Sequence, residues 1–236
     1  GLISFVATVK AQEKTSFWLN EKINEENREP MRSSYFVYEN EQLALKNDWK
    51  LSKNYKNLNG IWKFKWLEDP SNLPLGFQEV TFNDSSWDNF KIPANWEMHG
   101  YGYPVYVNAT YEFDNLIKIN PPQVPTSQNH VGIYRREITI DKSWEEKDVF
   151  LHVGAAKSNL KVWVNGKYVG YGEDGKLPQE FKLNNYLNVG KNTIVFKVMR
   201  WSDGAYLECQ DFWRMTGITR DTYLYARNKV HLKDYE

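Results

Sequence analysis

The chain has 236 residues, and its 30 lysines and arginines balance its 30 aspartates and glutamates, so the formal net charge at pH 7 is zero. This balance argues against nucleic acid or a strongly charged membrane as the partner. Aromatic residues make up 16% of the sequence, which is typical of β-sheet packing and of surfaces that stack on sugars or on proteins. The single cysteine, Cys209, excludes an intrachain disulfide and a cysteine-based zinc cluster.

The amino end is similar to the end of a secretory signal peptide. Leu2 to Val9 form a short apolar run, and the small residue Ala11 precedes a polar stretch. The run is too short to span a bilayer. We therefore expect residues 1–11 to be a signal-peptide remnant and the mature protein to be exported to the periplasm or the cell surface. An ordinary chain terminus is the alternative.

Residues 12–56 are polar and have few periodic apolar positions. This pattern predicts an extended arm laid over the domain, with a brief helical turn near Glu39 to Ala44. Asn27 to Tyr38 combine two arginines with three rings, a mixture that suits docking onto another part of the same protein. A solvated leader is the alternative.

The remainder of the chain predicts short strands. Trp62, Phe64 and Trp66 alternate with lysines, which is typical of a half-buried strand. Further strands are predicted at Phe77 to Trp87 (strand and turn), Ile133 to Ile140, Val149 to Val153, Leu160 to Val164, Tyr168 to Tyr171, Thr193 to Met199 and Thr222 to Tyr225. Seven or more short strands without a long helical period predict an all-β sandwich or jelly roll.

Turn and loop signals separate these strands. Asn165-Gly166 predicts a type I′ hairpin, because both central residues of that turn need a positive φ. Residues 189–192 predict a second turn. Tyr101 to Asn129 contain four prolines, so we expect a long loop across one end of the sandwich.

The stretch Met199 to Asp221 concentrates aromatic, acidic and basic residues where a plain strand would alternate. Its candidate residues are Arg200, Trp201, Asp203, Glu208, Asp211, Trp213 and Arg214. Rings stack on the CH faces of a sugar and carboxylates accept from its hydroxyls, so this mixture suits a polyhydroxylated ligand. A surface turn braced by Arg–Asp pairs and packed tryptophans is the alternative.

Several kinds of chemistry find no support in the sequence. It has neither the G-x-S-x-G pattern of a nucleophile elbow nor a phosphate-binding glycine loop. Its four histidines are too scattered for a helix-borne metal motif. Carboxylates are numerous, but sequence alone does not show which of them converge in a sandwich.

Five separated stretches resemble the amino-terminal sugar-binding domain of the large family 2 β-galactosidases. They keep their order and spacing across residues 27–225. The stretches are LNGIWKFKW (58–66), IPANWEMHGYGYPVYVNATY (92–111), INPPQVPT (119–126), VWVNGKYVGYGEDGKLPQEFKL (162–183) and RWSDGAYLECQDFWRMTGITRD (200–221).

The resemblance implies a jelly-roll domain, similar to galactose-binding domains, from which two loops reach the active site of a separate TIM barrel. By that resemblance Asn108 and Asp203 contact the galactose ring, and Asp203 also binds a sodium ion. The remaining polar and aromatic residues of Met199 to Asp221 then form the frame that fixes the loop of Asp203. The catalytic glutamates and the magnesium ligands belong to the barrel. Cys209 departs from the family, which often has an acidic residue there.

These inferences predict four segments. Residues 1–11 are the signal remnant, 12–56 the arm, 57–226 the sugar-binding jelly roll, and 227–236 a linker to a next domain. The whole protein is expected to hydrolyse terminal β-galactosides with retention as a homo-oligomer, and this chain alone to be inactive. A free-standing carbohydrate-binding module and a purely structural assembly domain are the alternatives.

Overall fold

The computed structural model describes residues 17–235, and antiparallel strands dominate it. The predicted signal remnant, residues 1–11, lies outside the described residues, as does the start of the predicted arm. The predicted limits of the sugar-binding segment and of the linker stay predictions. Within residues 17–235, no helix has the length and apolar character that a membrane crossing requires.

Sixteen strands, one α-helix and six short 3-10 helices make up the described part of the chain. The strands are β1 (Glu25–Glu26), β2 (Tyr55–Asn57), β3 (Gly60–Leu67), β4 (Asp88–Ile92), β5 (Ala94–Asn95), β6 (Val105–Tyr106), β7 (Val131–Ile140), β8 (Lys147–Val153), β9 (Ala156–Lys157), β10 (Asn159–Val164), β11 (Lys167–Glu173), β12 (Gln179–Lys182), β13 (Gly190–Met199), β14 (Trp213–Arg214), β15 (Gly217–Ile218) and β16 (Thr222–Asn228). The helices are α1 (Glu41–Lys46) and the 3-10 turns Phe17–Leu19, Trp49–Leu51, Pro70–Asn72, Glu97–His99, Lys142–Trp144 and Asp203–Tyr206.

Two facing sheets form the sandwich that the sequence predicts. A seven-stranded sheet has the order β1-β11-β10-β13-β7-β3-β4, and a four-stranded sheet has the order β12-β8-β16-β2. Alternate side chains of both sheets meet in one buried cluster, which includes Trp62, Phe196 and Leu224. Because side chains alternate along a strand, this one cluster fixes the inward face of every strand that contributes to it. The all-β jelly-roll fold is therefore confirmed.

A second buried cluster covers the outer face of the seven-stranded sheet. Ile133 and Val195 point outward from β7 and β13, and they belong to a buried group with Phe113 and Trp201. Phe113 lies in the predicted loop 101–129, which forms only the two-residue strand β6. The loop is thus packed against the sheet near the end where Met199 leaves β13.

The strand predicted at Phe77 to Trp87 is wrong. This segment is a series of turns, in which the amide of Glu79 donates to the carbonyl of Gly76 and that of Phe82 to the carbonyl of Glu79. Phe77 and Trp87 are buried as separate anchors of the loop. Buried rings suggest a strand by composition, but here they are not spaced by the strand period of two.

Of the two predicted turns, one is confirmed and the other is displaced. Asn165 and Gly166 have φ values of 52° and 77°, which confirms the hairpin between β10 and β11. The turn predicted at 189–192 is displaced, because Gly190 already begins β13. The amides of Tyr186 and Leu187 donate to the carbonyl of Leu183, so the chain turns earlier than predicted.

The amino-terminal segment lies against the sandwich along much of its described length. Strand β1 pairs with the edge strand β11, and Phe36 and Trp49 pack against Tyr223 and its neighbours on the outer face of the four-stranded sheet. The predicted helical turn is α1, which begins two residues later than expected because Asn40 caps it. The docked interpretation of Asn27 to Tyr38 therefore holds, and the solvated leader is wrong.

Candidate functional site

Met199 to Asp221 connects the two main sheets. It leaves β13, forms the 3-10 helix Asp203–Tyr206, contributes β14 and β15, and enters β16. The amide of Arg200 donates to the carbonyl of His130 at 2.8 Å, which ties the start of the stretch to the strand next to β13. The stretch is therefore an ordered loop with its own short strands and 3-10 helix, rather than a simple surface turn.

The loop 101–129 is joined to this stretch by backbone pairing. In the β6–β14 pair, Tyr106 lies opposite Trp213 and Val105 opposite Arg214. The thiol of Cys209 lies 3.2 Å from the carbonyl oxygen of Thr110. Both contacts flank Asn108, which is exposed. The structure thus brings the loop of Asn108 to the stretch that contains Asp203, although no hydrogen bond in the described part of the chain joins those two side chains.

Asp203 lies at the start of its 3-10 helix and is only 6% exposed. Its Oδ1 accepts from the amide of Gly204 at 3.2 Å, and the carboxyl group of Glu173 lies beside the same glycine, with Oε2 2.8 Å from where a Cβ atom on Gly204 would be. Burial raises the pKa of Asp203, while the contact with Glu173 and the amide of Gly204 oppose that rise. Asp203 is therefore a buried carboxyl group that lies among other buried polar residues, Ser202 and Glu173.

Glu173, at the end of β11, is the residue that sequence reasoning missed. It is 6% exposed, and the hydroxyl of Tyr171 donates to its Oε1. Burial and the neighbouring charge of Asp203 together raise the pKa of Glu173 to about 8, against the opposing effect of the hydrogen bond from Tyr171. Thirty residues separate the two acids in sequence, so only the packing of β11 against the 3-10 helix Asp203–Tyr206 reveals the pair.

Arg200 and Trp201 are part of the frame around Asp203. The guanidinium of Arg200 is 1% exposed; it donates to the carbonyl of Tyr103 at 3.2 Å and lies 3.8 Å from a carboxylate oxygen of Glu112. The ring of Trp201 packs edge-on against Phe113 with centroids 5.5 Å apart. Both residues therefore fix the stretch to the loop 101–129.

Glu208 and Arg214 extend that frame from the other end of the stretch. One carboxylate oxygen of Glu208 accepts from the amide of Gly175, while its Oε2 is buried without a hydrogen-bond partner in the described chain. The guanidinium of Arg214 is 1% exposed and lies 3.1 Å from the sulfur of Cys209 and 4.3 Å from the ring centre of Phe212. Cys209 thus contacts both Arg214 and the loop of Asn108.

Asp211 and Trp213 lie at the surface, unlike the frame residues. The hydroxyl of Tyr106 donates to Asp211, and the rings of Tyr106 and Trp213 are 5.7 Å apart. Trp213 is 56% exposed. The braced-turn alternative is therefore only partly correct. Trp201 is packed as that alternative requires, but Trp213 is exposed. Within residues 17–235, neither Arg200 nor Arg214 forms an ion pair with an aspartate.

The described side chains alone do not form a complete set of ligands for a metal ion. Among residues 17–235, no three His, Cys, Asp or Glu side chains group closely enough to hold a metal ion. A cation at Asp203 would need oxygen ligands of other kinds. The hydroxyl of Ser202 is one such donor, because it is fully buried and has no hydrogen-bond partner in the part of the chain that the structure describes.

Comparison with known proteins agrees with this architecture. The chain is 40% identical over 216 residues to a β-galactosidase of Priestia megaterium, an alignment that covers 92% of this chain and 21% of that protein. The chain therefore spans about a fifth of the length of that relative.

Solved structures show the same fold. A β-glycosidase from Bacteroides vulgatus has a TM-score of 0.53 and 28% identity, over 74% of this chain and 20% of that one. A Bacteroides uniformis β-glucuronidase has a TM-score of 0.55 and 23% identity, over 74% of this chain and 18% of that one. The model of the glycosyl hydrolases family 2 sugar binding domain matches residues 55–228. By that match, the chain belongs to the family 2 glycosyl hydrolases and contains their sugar binding domain.

Proposed function

We propose that this chain forms one wall of the galactoside site of a retaining β-galactosidase, in which Asn108 and Asp203 contact the galactose ring. The observation that carries the proposal is the β6–β14 pairing, which holds the exposed loop of Asn108 against the stretch that contains Asp203. An amide both donates and accepts hydrogen bonds, and a carboxylate accepts them from sugar hydroxyls. The 40% identity with a protein named as a β-galactosidase supports this choice of sugar.

The bond-breaking groups are proposed to lie in other domains of the complete protein. Retaining hydrolysis uses two carboxyl groups about 5 Å apart, one as nucleophile and one as acid and base. We place those glutamates, and a magnesium ion, in a catalytic barrel. The partners of this chain are then the galactoside and the remaining domains, in a complete enzyme that we propose to be a homo-oligomer. Export to the periplasm is also a proposal, which rests on residues 2–11.

A sodium ion at Asp203 is the cofactor that we propose for this wall. The Asp203 carboxylate and the unpartnered Ser202 hydroxyl are oxygen donors of the kind that hard cations prefer. The bound ion would supply positive charge beside a sugar hydroxyl. Asp203 would hold the ion, and the frame formed by Arg200 and Trp201 would keep its loop in place.

Kinetics of the complete enzyme test this proposal. Asp203→Asn and Asn108→Ala should each weaken galactoside binding by roughly 10- to 100-fold, the loss of one or two hydrogen bonds to a polar ligand. Glu68→Gln, at an exposed position far from both loops in sequence, should change nothing. Unchanged kinetics in both site variants would reject the proposal. The isolated chain should show no turnover of a chromogenic galactoside.

A free-standing carbohydrate-binding module is the second candidate. The rings of Tyr106 and Trp213 favour it, because they are 49% and 56% exposed and lie side by side. Calorimetry of the isolated chain with galactose and lactose separates the two. A wall without its catalytic partner should bind hardly at all, whereas binding that Trp213→Ala abolishes would favour the module.

A further inference from the structure

A cavity of about 310 Å³ lies on the outer face of the four-stranded sheet, under the amino-terminal segment and the end of the described chain. Alternate residues of β8, β12 and β16 form its floor, because side chains two positions apart share one face of a strand. Small-molecule sites range over roughly 300–1,000 Å³, so the cavity is large enough for a ligand of modest size.

Every carboxylate in the lining of this cavity already has a cationic partner. The three pairs are Arg32–Glu180 at 2.9 Å, Lys182–Asp148 at 2.8 Å and Lys233–Glu29 at 3.7 Å. Arg227 is the fourth permanent cation of the lining, and it forms no salt bridge within residues 17–235. With its histidine neutral, the lining therefore carries one positive charge in excess.

The guanidinium of Arg227 has unused bonding capacity although the residue is only 5% exposed. It lies over the rings of Tyr35 and Tyr225, 4.5 and 4.9 Å from their centres. Its Nη1 donates to the hydroxyl of Tyr35 and to the carbonyl of Leu232, at 2.9 and 3.5 Å. Its Nε is buried without a partner, and its Nη2 has no hydrogen bond in the described chain. Rings attract a cation without neutralising it, so a buried guanidinium without an anion is costly.

Arg32 shows how a guanidinium is satisfied in the same cavity. Its Nε and Nη2 each donate to one oxygen of Glu180 at 2.9 Å. Arginine favours this two-point contact because its planar fork of donors matches the two oxygens of a carboxylate. Asp148 lies opposite Arg227 in the β8–β16 pair, but its carboxylate accepts from Lys182 instead. Arg227 therefore lacks the carboxylate that Arg32 has.

We propose that this cavity binds a small hydroxylated monocarboxylate, such as a sugar acid, with the carboxylate against the guanidinium of Arg227. A single negative charge balances the one excess positive charge. A doubly charged phosphate would exceed it, in a lining that already contains three carboxylates. The ring of Phe150 offers an apolar surface to CH groups, and the ammonium groups of Lys182 and Lys233 can donate to hydroxyls. The inference uses no residue of the proposed galactoside site.

Titration of the chain with sodium gluconate, a hydroxylated monocarboxylate, tests the proposal. Sorbitol has the same carbon chain and hydroxyls without the carboxylate, acetate has the carboxylate without the hydroxyls, and sodium chloride holds the ionic strength constant. Calorimetry should show saturable binding of gluconate, roughly tenfold weaker binding of acetate, and no binding of sorbitol. Gluconate should also raise the midpoint of thermal unfolding, because a ligand that binds only the folded state stabilises it.

Three variants separate a ligand-binding arginine from one that only packs. Arg227→Gln should weaken gluconate binding by roughly tenfold or more, because it removes charged hydrogen bonds. Arg227→Lys keeps the positive charge and loses the fork of donors, so its affinity should lie between the two. Asp148→Asn removes a carboxylate from the lining and should tighten gluconate binding, because the excess of positive charge grows. Thermal unfolding without ligand shows that each variant is folded.

The control is Arg220→Gln, which removes an exposed arginine outside the cavity and should leave the affinity for gluconate unchanged. Absence of saturable gluconate binding, or equal affinity in the original chain and in both Arg227 variants, would overturn the proposal. An equal loss in Arg220→Gln would also overturn it, and equal affinity for acetate and gluconate would overturn the hydroxylated class of ligand. No measurement uses galactoside turnover, so failure here is distinguishable from failure of the proposed galactosidase function.

Discussion

Arg32 of the amino-terminal segment and Glu180 of β12 form a two-point salt bridge, with Nε–Oε2 and Nη2–Oε1 distances of 2.9 Å each. Both side chains are largely buried, at 14% and 10% exposure. The hydroxyl of Tyr225 donates to the same carboxylate at 2.9 Å, and His152 lies 2.9 Å from it. One carboxylate therefore joins the segment to strands β8, β12 and β16.

Removal of Arg32 should release this attachment. We expect Arg32→Ala to reduce the free energy of unfolding by about 3 kcal/mol, because it leaves a buried carboxylate without its main partner. Lys229→Ala breaks an ion pair with Glu146 whose side chains are 62% and 88% exposed, so it should cost no more than about 0.5 kcal/mol. Urea unfolding of the two variants measures both losses in the free energy of unfolding. Equal losses would contradict the prediction.

The carboxylate of Glu180 should also make the free energy of unfolding depend on pH in the acidic range. Burial alone would raise the pKa of Glu180, but the hydrogen bonds from His152 and Arg32 and the charge of Arg32 lower it to about 2. The pKa of Glu180 in the folded chain lies below its unfolded value near 4.5. Its contribution to the free energy of unfolding is therefore complete above pH 4.5 and is lost as the pH falls towards 2. Glu180→Gln should flatten the stability profile in this window. A profile as steep as that of the original chain would count against the assignment.

His130 should give a separate pH dependence. Burial, and then the charge of Arg200, lower its pKa from 6.5 to about 4. Between these values the unfolded chain binds more protons, so stability should fall as the pH drops from 6.5 to 4, by on the order of 3 kcal/mol. His130→Phe should remove this slope, whereas His99→Gln, at an exposed position, should retain it. Calorimetric unfolding across the range measures both, and a flat profile in the original chain would refute the prediction.

Gly132 should tolerate no side chain. A Cβ atom there would lie 2.3 Å from Cζ2 of Trp96 and 2.9 Å from Cε2 of Phe64, two rings that are fully buried. Gly132→Ala should therefore cost at least about 2 kcal/mol through overpacking. Gly100→Ala meets nothing within 4 Å but has a φ of 86°, so it should cost about 1 kcal/mol through backbone strain alone. Chemical denaturation ranks the two, and the reverse order would show that the rings at Gly132 move aside.

Local patterns in the sequence determined the strands and one turn. The alternation of Trp62, Phe64 and Trp66 with lysines places a strand, because a strand presents successive side chains to opposite faces. Asn165-Gly166 determines a hairpin, because few residue pairs adopt two successive positive φ values. The five motifs likewise pointed to the sugar-binding fold and to the stretch around Asp203.

Only the tertiary structure decided what surrounds Asp203. Its neighbour Glu173 lies at the end of β11, far from the 3-10 helix of Asp203 in the sequence, and neither residue type nor spacing indicates that the two carboxyl groups come close. The failed strand at Phe77 to Trp87 has the same cause, because the side chain of Arg135, from β7, binds the carbonyls of Phe77 and Glu79 and holds the segment in turns. Sequence encodes periodicity and turn preference locally. Contacts between distant segments depend on how the sheets pack, so the site became visible only when the two sheets and their loops were in place.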